Sequence, residues 1–329
     1  MTLPRFNWAA IRQLWESAIC SIAASTTVAV PLLLALLTLS ACQPTAFAEP
    51  PAKGGDATHR SEELLDIISR ANAGDSAAQV TLGVMFSAGR GLPQDYAQAV
   101  IWFRKAAEQG HASAQNNLGV IYANGYGVPE DDAQAVAWYR KSAQQGEARA
   151  QFNLGRMYDN GEGVAEDDAV AAAWYRKAAE QGDAWAQVNL GFMYANGEGV
   201  AENDSLAVAW YRKAAEQGLA GAQFNLGGMY DDGEGVAEDD AVAAAWYRKA
   251  AEKGHAKAQG NLGAMYANGE GVPQDYVQAY AWFNLSAAQG HPMSRVYRDD
   301  VRQSMTPDQI AQGQALSREW QQAMAGPGN

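Results

Sequence analysis

The chain has 329 residues and a formal net charge of −13 at pH 7. No basic patch stands out, which argues against nucleic acid as a partner, because binding to a phosphate backbone needs clustered lysines and arginines. The only two cysteines, Cys20 and Cys42, lie near the N-terminus, so the rest of the chain is predicted to fold without disulfides.

The N-terminal segment 1–42 is predicted to be an export leader. Arg5 and Arg12 precede an almost uncharged apolar run over 18–41 that is long enough to cross a bilayer. Two processing patterns follow, which favours a cleaved signal peptide over a permanent membrane helix. Membrane contact is therefore expected only through this leader or through a lipid anchor.

The two processing patterns predict different mature proteins. The sequence Leu-Ser-Ala-Cys that ends at Cys42 resembles a bacterial lipobox, which implies cleavage before Cys42 and acylation of its thiol. Gln43 resembles the signal for outer-membrane retention. The alternative is the Ala-Phe-Ala pattern at 46–48, which fits ordinary signal peptidase. We expect an outer-membrane lipoprotein that faces the periplasm first, and a soluble periplasmic or secreted protein second.

A flexible tether and a capping helix are predicted to follow the leader. Residues 43–60 are rich in proline, alanine, glycine and threonine, a composition typical of flexible linkers. Ser61 can cap a helix that has acidic residues in its first turn. The apolar side of this helix, over 61–74, is predicted to cover the front of the repeat array.

A 36-residue repeat fills the region 75–290. Its most regular feature is a Leu-Gly pair, at 82–83, 118–119, 154–155, 190–191, 226–227 and 262–263. A fixed period of this length predicts one supersecondary unit that is copied along a solenoid. Such an array has a long curved face for binding but no enclosed catalytic pocket by default.

Each repeat is predicted to form two helices. In the copy from Glu147 to Gly182, apolar residues at helical spacing predict a first helix over 148–158. A glycine-rich loop ends this helix, and Asp167 can cap a second helix over 169–181. Gly182 can end the second helix in the left-handed conformation.

Two aromatic columns are predicted to hold the array together. The glycine of each Leu-Gly pair lies inside a helix, where it costs about 1 kcal/mol relative to alanine. We attribute it to the close approach of a facing helix that carries a bulky column: Phe103, Tyr139, Tyr175, Tyr211, Tyr247 and Phe283. A tryptophan precedes each member of this column, and its regularity indicates packing rather than ligand contacts.

The period fails after residue 290, and 291–329 are predicted to form C-terminal capping helices. Thr306-Pro-Asp-Gln309 is a capping box with proline at the first helical position. The sixth repeat replaces the usual Arg-Lys of its second helix with Asn284-Leu285. This apolar switch is expected where a terminal repeat is covered by a cap.

The repeat resembles the Sel1-like repeat, a relative of the tetratricopeptide repeat. The matching pattern is Ala-x-Ala-Gln-x-Asn-Leu-Gly-x-Met-Tyr-x-x-Gly-x-Gly-Val, then Ala-x-x-Trp-Tyr-Arg-Lys-Ala-Ala-Glu-Gln-Gly. The resemblance implies an all-α fold, a right-handed α-α superhelical solenoid of six helix-turn-helix repeats with capping helices at both ends. It also implies a non-catalytic adaptor that works in envelope assembly, polysaccharide export, signalling or host contact.

The same resemblance implies that one stripe of the first helices lines a concave groove that binds a protein or peptide. The stripe consists of positions i, i+3 and i+7, which share a helix face and vary among the copies. Its distinctive members are Arg149, Phe152, Arg156, Trp185, Val188, Phe192 and Phe224. The alternative for Phe152 and Phe224 is that they lean into neighbouring repeats as core.

A column of amides borders this stripe. Asn153, Asn189 and Asn225 belong to it and could pair with the backbone of an extended peptide. The alternative is structural hydrogen bonding between helix and loop, which would explain why the column hardly varies.

No catalytic residue, cofactor or metal site is predicted. His111, His255 and His291 follow the repeat period, and no metalloprotease, hydrolase or phosphate-loop motif occurs. The acidic loops lack the spacing of a calcium loop. Two alternatives to the adaptor are repeat-borne carboxylates that bind or hydrolyse a glycan, and a structural protein that self-associates through the aromatic stripe.

Overall fold

The computed structural model describes residues 57–325. The leader, the candidate lipidation site Cys42 and nearly all of the tether lie outside the described residues. The described part of the chain is all-helical, and none of its helices is long and apolar enough to cross a membrane. In order, the helices are α1 (Ala57–Asn72), α2 (Ser76–Ala88), α3 (Tyr96–Glu108), α4 (Ala112–Asn124), α5 (Asp132–Gln144), α6 (Ala148–Asn160), α7 (Asp168–Glu180), α8 (Ala184–Asn196), α9 (Asp204–Glu216), α10 (Ala220–Asp232), α11 (Asp240–Glu252), α12 (Ala256–Asn268), α13 (Tyr276–Ala288), α14 (Pro292–Gln303) and α15 (Pro307–Ala325).

The repeats form six helix pairs, from α2–α3 to α12–α13. We call the first helix of each pair the A helix and the second the B helix. Each A helix packs on its own B helix, and each B helix packs on the next A helix. The front of the array packs against α1, and α13 at its end is covered by both α14 and α15. The structure confirms the expected all-α array of six helix pairs with a cap at each end.

The sequence signals for helix ends are confirmed in the repeats. At the start of each B helix, a side-chain oxygen accepts a hydrogen bond from a backbone N–H of the first turn. The residues that supply this oxygen are Asp95, Asp131, Asp167, Asn203, Asp239 and Asp275. Each A helix ends at a left-handed glycine, such as Gly161 with φ +68°. Thr306 and Gln309 form the reciprocal bonds of a capping box before α15.

The N-terminal cap differs from the prediction in its first residue. The helix α1 begins at Ala57, so Ser61 lies inside the helix rather than at its N-cap. The physical reason is that 57–60 contain neither proline nor glycine, so nothing in this stretch stops the helix from extending.

The glycine of every Leu-Gly pair faces an aromatic ring, as predicted. A Cβ at these six glycines would lie only 2.5–2.9 Å from the ring of Phe103, Tyr139, Tyr175, Tyr211, Tyr247 or Phe283. All six rings are buried. The close approach of the A and B helices within each repeat therefore depends on the missing side chain.

Polar side chains connect consecutive repeats. The buried A-helix glutamine, such as Gln151, donates to a carbonyl of the preceding helix and accepts from the glutamine that follows its own B helix, here Gln181. A B-helix arginine, such as Arg176, donates to a tyrosine hydroxyl in the next A helix, here Tyr194, at 2.8 Å. The same bonds recur along the array, so each repeat is held by its nearest neighbours.

The tryptophan column lies on the B helices and is used for packing. In five repeats, the lysine three residues further on places its Nζ 3.7–4.2 Å from the centre of the tryptophan ring. In the sixth repeat Leu285 replaces the lysine, and Trp282 is buried against Trp320 of α15 with ring centres 4.1 Å apart. The replacement of lysine by Leu285 therefore marks the repeat that the C-terminal cap covers.

Candidate binding surface on the A helices

Two of the four predicted stripe aromatics are exposed to solvent. Trp185 and Phe192 lie seven residues apart on α8, and their side chains are 48% and 49% exposed. Spacing by seven places both on one face of the helix. By contrast, the leucines and tyrosines of the core are almost fully buried. This exposed pair is the main apolar feature of the A-helix stripe.

The other two aromatics are half-buried. Phe152 packs against the ring of Tyr175, and Phe224 packs against Tyr247, with ring centres 5.8 Å apart in both cases. Val188, at the same repeat position, is also half-buried and packs against buried residues of α9 and α10. The middle position of the stripe therefore packs against the B helix of its own repeat, whereas the outer positions of α8 reach solvent.

The two predicted arginines lie one repeat before the exposed pair. Arg149 and Arg156 occupy on α6 the positions that Trp185 and Phe192 occupy on α8. Arg149 is exposed, whereas Arg156 is half-buried and its buried Nε has no hydrogen-bond acceptor among residues 57–325. The surface thus combines an apolar pair with two cationic groups on the adjacent helix.

The amide column has partners within the array. Asn153 donates to the side chain of Asn116 on the preceding A helix at 3.0 Å. Burial raises the pKa of the Tyr175 and Tyr211 hydroxyls, and hydrogen bonds with the side chains of Asn189 and Asn225 oppose that rise. The three amides therefore take part in contacts between repeats, which leaves them less free for a ligand than the exposed aromatics.

Two half-buried carboxylates lie beside the aromatic column. The hydroxyl of Tyr175 donates to Asp159 at 3.0 Å, and that of Tyr247 donates to Asp231 at 3.2 Å. Burial raises the pKa of both carboxyls, and that of Asp231 reaches about 6. No group of acidic, histidine or cysteine side chains in residues 57–325 has the arrangement of a metal site.

The glycines of α10 are the part of the stripe that sequence reasoning did not single out. Gly221 and Gly228 occupy the outer stripe positions, next to Trp185 and Phe192 one repeat earlier. The available signal was a pair of glycines inside a helix at positions where the other copies carry side chains. Its meaning depends on what surrounds each glycine, which the sequence does not show.

A family model for the Sel1 repeat matches six consecutive segments of the chain. The matched segments are 76–111, 112–147, 148–183, 186–219, 220–255 and 256–291, which together cover most of the array described above. The chain belongs to the Sel1 repeat family. No curated protein matches it.

Two solved structures with the Sel1 repeat architecture resemble this one. A protective antigen present in uropathogenic Escherichia coli strains, with an SLR fold, is 40% identical over 80% of this chain, with a TM-score of 0.72. A Sel1 repeat protein from Oxalobacter formigenes is 36% identical over 74% of this chain, with a TM-score of 0.64 and 70% of its own length covered. The present chain spans 56% of the antigen's length.

Proposed function

We propose that this Sel1 repeat chain is a non-catalytic adaptor that binds a protein or peptide on the A-helix stripe. The observation that carries the proposal is the exposure of Trp185 and Phe192 on one face of α8. Large aromatic side chains exposed together usually mark an interaction site, and tryptophan and arginine dominate the binding energy of interfaces. Arg149 and Arg156 lie beside the pair.

The proposal includes export of the protein to the cell envelope. It is supported by the leader sequence, whose lipobox favours a lipid anchor at Cys42, with a soluble periplasmic or secreted form as the alternative. The related SLR-fold protein is a protective antigen, which supports host contact among the processes that the family resemblance implies. Mass spectrometry of the mature N-terminus distinguishes cleavage before Cys42 from cleavage after Ala48.

The binding surface is tested with two matched double variants. Trp185→Ala/Phe192→Ala removes the exposed pair, and Ile101→Ala/Leu206→Ala removes two side chains of similar exposure from the B helices. Proteins that crosslink to the full-length chain in the cells that express it are then compared by mass spectrometry. We expect the first variant to lose partners that the second retains. Retention of every partner by the first variant would overturn the proposal.

Self-association through the same aromatic pair is the second candidate function. An exposed tryptophan and phenylalanine can pair with another copy of the chain as well as with a different protein. Light scattering of the wild-type chain and the Trp185→Ala/Phe192→Ala variant separates the two functions. A mass that falls to that of a monomer only in the variant would favour self-association.

A further inference from the structure

An open stretch of the α10 surface lies next to the exposed aromatic pair. Gly221 and Gly228 occupy on α10 the positions that Trp185 and Phe192 occupy on α8. A Cβ on Gly221 would meet no atom within 4 Å, and one on Gly228 would meet only the Tyr247 hydroxyl, at 3.7 Å. Neither glycine has a positive φ. We call this open stretch, which consists of Gly221, Gly228 and the Phe224 side chain between them, the notch.

Packing does not explain these glycines. Glycine inside a helix costs up to about 1 kcal/mol relative to alanine, and Gly228 lies in the helix interior. The glycines of the Leu-Gly pairs offset that cost by admitting an aromatic ring, whereas among the described residues Gly221 faces open space and Gly228 faces only the Tyr247 hydroxyl. The packing of the repeats therefore leaves room for a larger side chain at both positions, and the two glycines keep this surface open.

The floor of the notch is apolar and held in place. The Phe224 ring lies between Tyr247, at 5.8 Å, and the imidazole of His255, at 4.7 Å between ring centres. Burial and the nearby Lys257 lower the pKa of His255 to about 4, so the imidazole is neutral at pH 7. It also accepts the backbone N–H of Ala258 and is thereby fixed. A neutral, packed floor suits a large apolar side chain.

Cationic groups flank the notch on both sides along the array. Arg149 and Arg156 lie two repeats before it on α6, and the exposed Lys257 lies one repeat after it on α12. The acidic neighbours of Arg149 are Glu147 and Asp183, whose carboxylates already accept N–H groups at the starts of α6 and α8. Glu147 and Asp183 therefore balance the charge of Arg149, and the cationic group left for a ligand is Arg156, whose buried Nε has no acceptor among the described residues. A ligand carboxylate would supply that acceptor as a charge-assisted hydrogen bond.

We infer that the bound segment is an extended acidic peptide whose large apolar side chain fills the notch and whose carboxylate pairs with Arg156. The inference rests on the function proposed above and specifies its ligand. Matching positions of neighbouring A helices are about 10 Å apart, and an extended chain advances about 3.3 Å per residue. Two repeats separate the notch from Arg156, so about six residues separate the apolar side chain from the carboxylate.

Random 12-residue peptides displayed on phage test this inference by selection on the full-length chain. We expect enrichment of sequences in which aspartate or glutamate stands about six residues from leucine, methionine, phenylalanine or tryptophan. An enriched peptide is then synthesised with a fluorescein label, and its Kd is measured by anisotropy. Failure to enrich any peptide, or enrichment of basic peptides, would overturn the inference.

Two substitutions with matched controls locate the peptide. Gly221→Leu fills the notch and is expected to raise the Kd at least about tenfold, whereas Ser113→Leu, the same exposed position on α4, leaves it unchanged. Arg156→Gln is expected to raise the Kd about tenfold and to weaken its dependence on salt, whereas Arg302→Gln on α14 has no effect. Circular dichroism confirms that each variant is folded.

Failure of the inference can be distinguished from failure of the adaptor function. If Gly221→Leu binds the selected peptide as well as the wild type does, the notch assignment is wrong. In that case, loss of partners in Trp185→Ala/Phe192→Ala would still support a binding surface on the A helices. If that double variant also retains every partner, the proposed function itself is wrong.

Discussion

Lys253 interrupts the glutamine network that connects the repeats. In five repeats the buried A-helix glutamine accepts from a glutamine at the end of the same repeat, at 2.7–2.8 Å. In the fifth repeat Lys253 stands at the donor position and bonds instead to the carbonyl of Gly218. The buried Oε1 of Gln223 is left without a hydrogen-bond donor in the described part of the chain. One residue type thus decides whether a buried acceptor is satisfied.

Lys253→Gln is therefore expected to stabilise the chain. The new amide can donate to Gln223, and satisfying a buried acceptor contributes about 1 kcal/mol to the free energy of unfolding. The converse variant, Gln217→Lys, should remove the amide that donates to Gln187 and destabilise the chain by a similar amount. Urea denaturation of both variants checks the pair. Equal stability of Lys253→Gln and wild type would show that the new amide does not hydrogen-bond to Gln223.

Asp231 should make the stability of the chain depend on pH. Burial, with Asp232, Asp240 and Glu270 nearby, raises its pKa to about 6. The folded chain therefore binds a proton more tightly than the unfolded chain does, so stability falls as the pH rises from about 4 to about 6. Asp231→Asn keeps an acceptor for the Tyr247 hydroxyl but cannot ionise. The decline in free energy of unfolding over this range should be smaller in the variant than in wild type.

At the scale of the helix, the same residue type has opposite roles in A helices. Gly191 is required because a Cβ would lie 2.8 Å from the ring of Tyr211. Gly228 is not required by the stack, because the nearest atom to an added Cβ is 3.7 Å away. Both glycines carry the same cost in helix propensity, so only the facing surface separates them.

Alanine substitution should therefore shift stability in opposite directions at these two glycines. Gly191→Ala overfills a packed contact and is expected to destabilise the chain by about 1–3 kcal/mol. Gly228→Ala raises the helix propensity without a steric clash and is expected to stabilise the chain by about 0.5–1 kcal/mol. Thermal unfolding followed by circular dichroism measures both. A destabilised Gly228→Ala variant would mean that the open surface beside Phe192 has a structural role.

At the scale of the whole molecule, most contacts in the described part of the chain run between helices that follow one another in sequence. The described helices pack in sequence order, and α13 meets both C-terminal helices. Stability in such an array is close to a sum over repeats and the interfaces between neighbours. Damage at one end should therefore loosen that end first.

Trp320→Ala tests this locality. The variant uncovers Trp282, whose ring is otherwise buried against Trp320. We expect faster amide hydrogen exchange in α12 and α13 and unchanged exchange in α4 and α5, because local opening follows local contacts. Hydrogen exchange read by mass spectrometry gives the profile. A uniform increase along all helices would indicate that the array unfolds as one cooperative unit.

The sequence alone determined the period, the helix pairs and most helix ends. Helix caps could be predicted because capping acts between residues three or fewer apart, as in the column that includes Asp167 and in the Thr306–Gln309 box. The close approach at each Leu-Gly glycine was also predictable, because a costly residue repeated six times needs a common cause. The site at which the leader is cleaved stays a prediction.

Only the tertiary structure decided which variable side chains are free to bind. Phe152 and Phe192 belong to the same sequence stripe, yet Phe152 packs on Tyr175 and Phe192 reaches solvent. The tertiary structure also distinguished Gly228 from Gly227, its neighbour in the chain. Helical periodicity fixes the face on which a side chain lies. Whether that face is covered depends on how the neighbouring helices are placed against it, and this placement arises from contacts far apart in the chain, such as Phe152 with Tyr175 and Asn153 with Asn116.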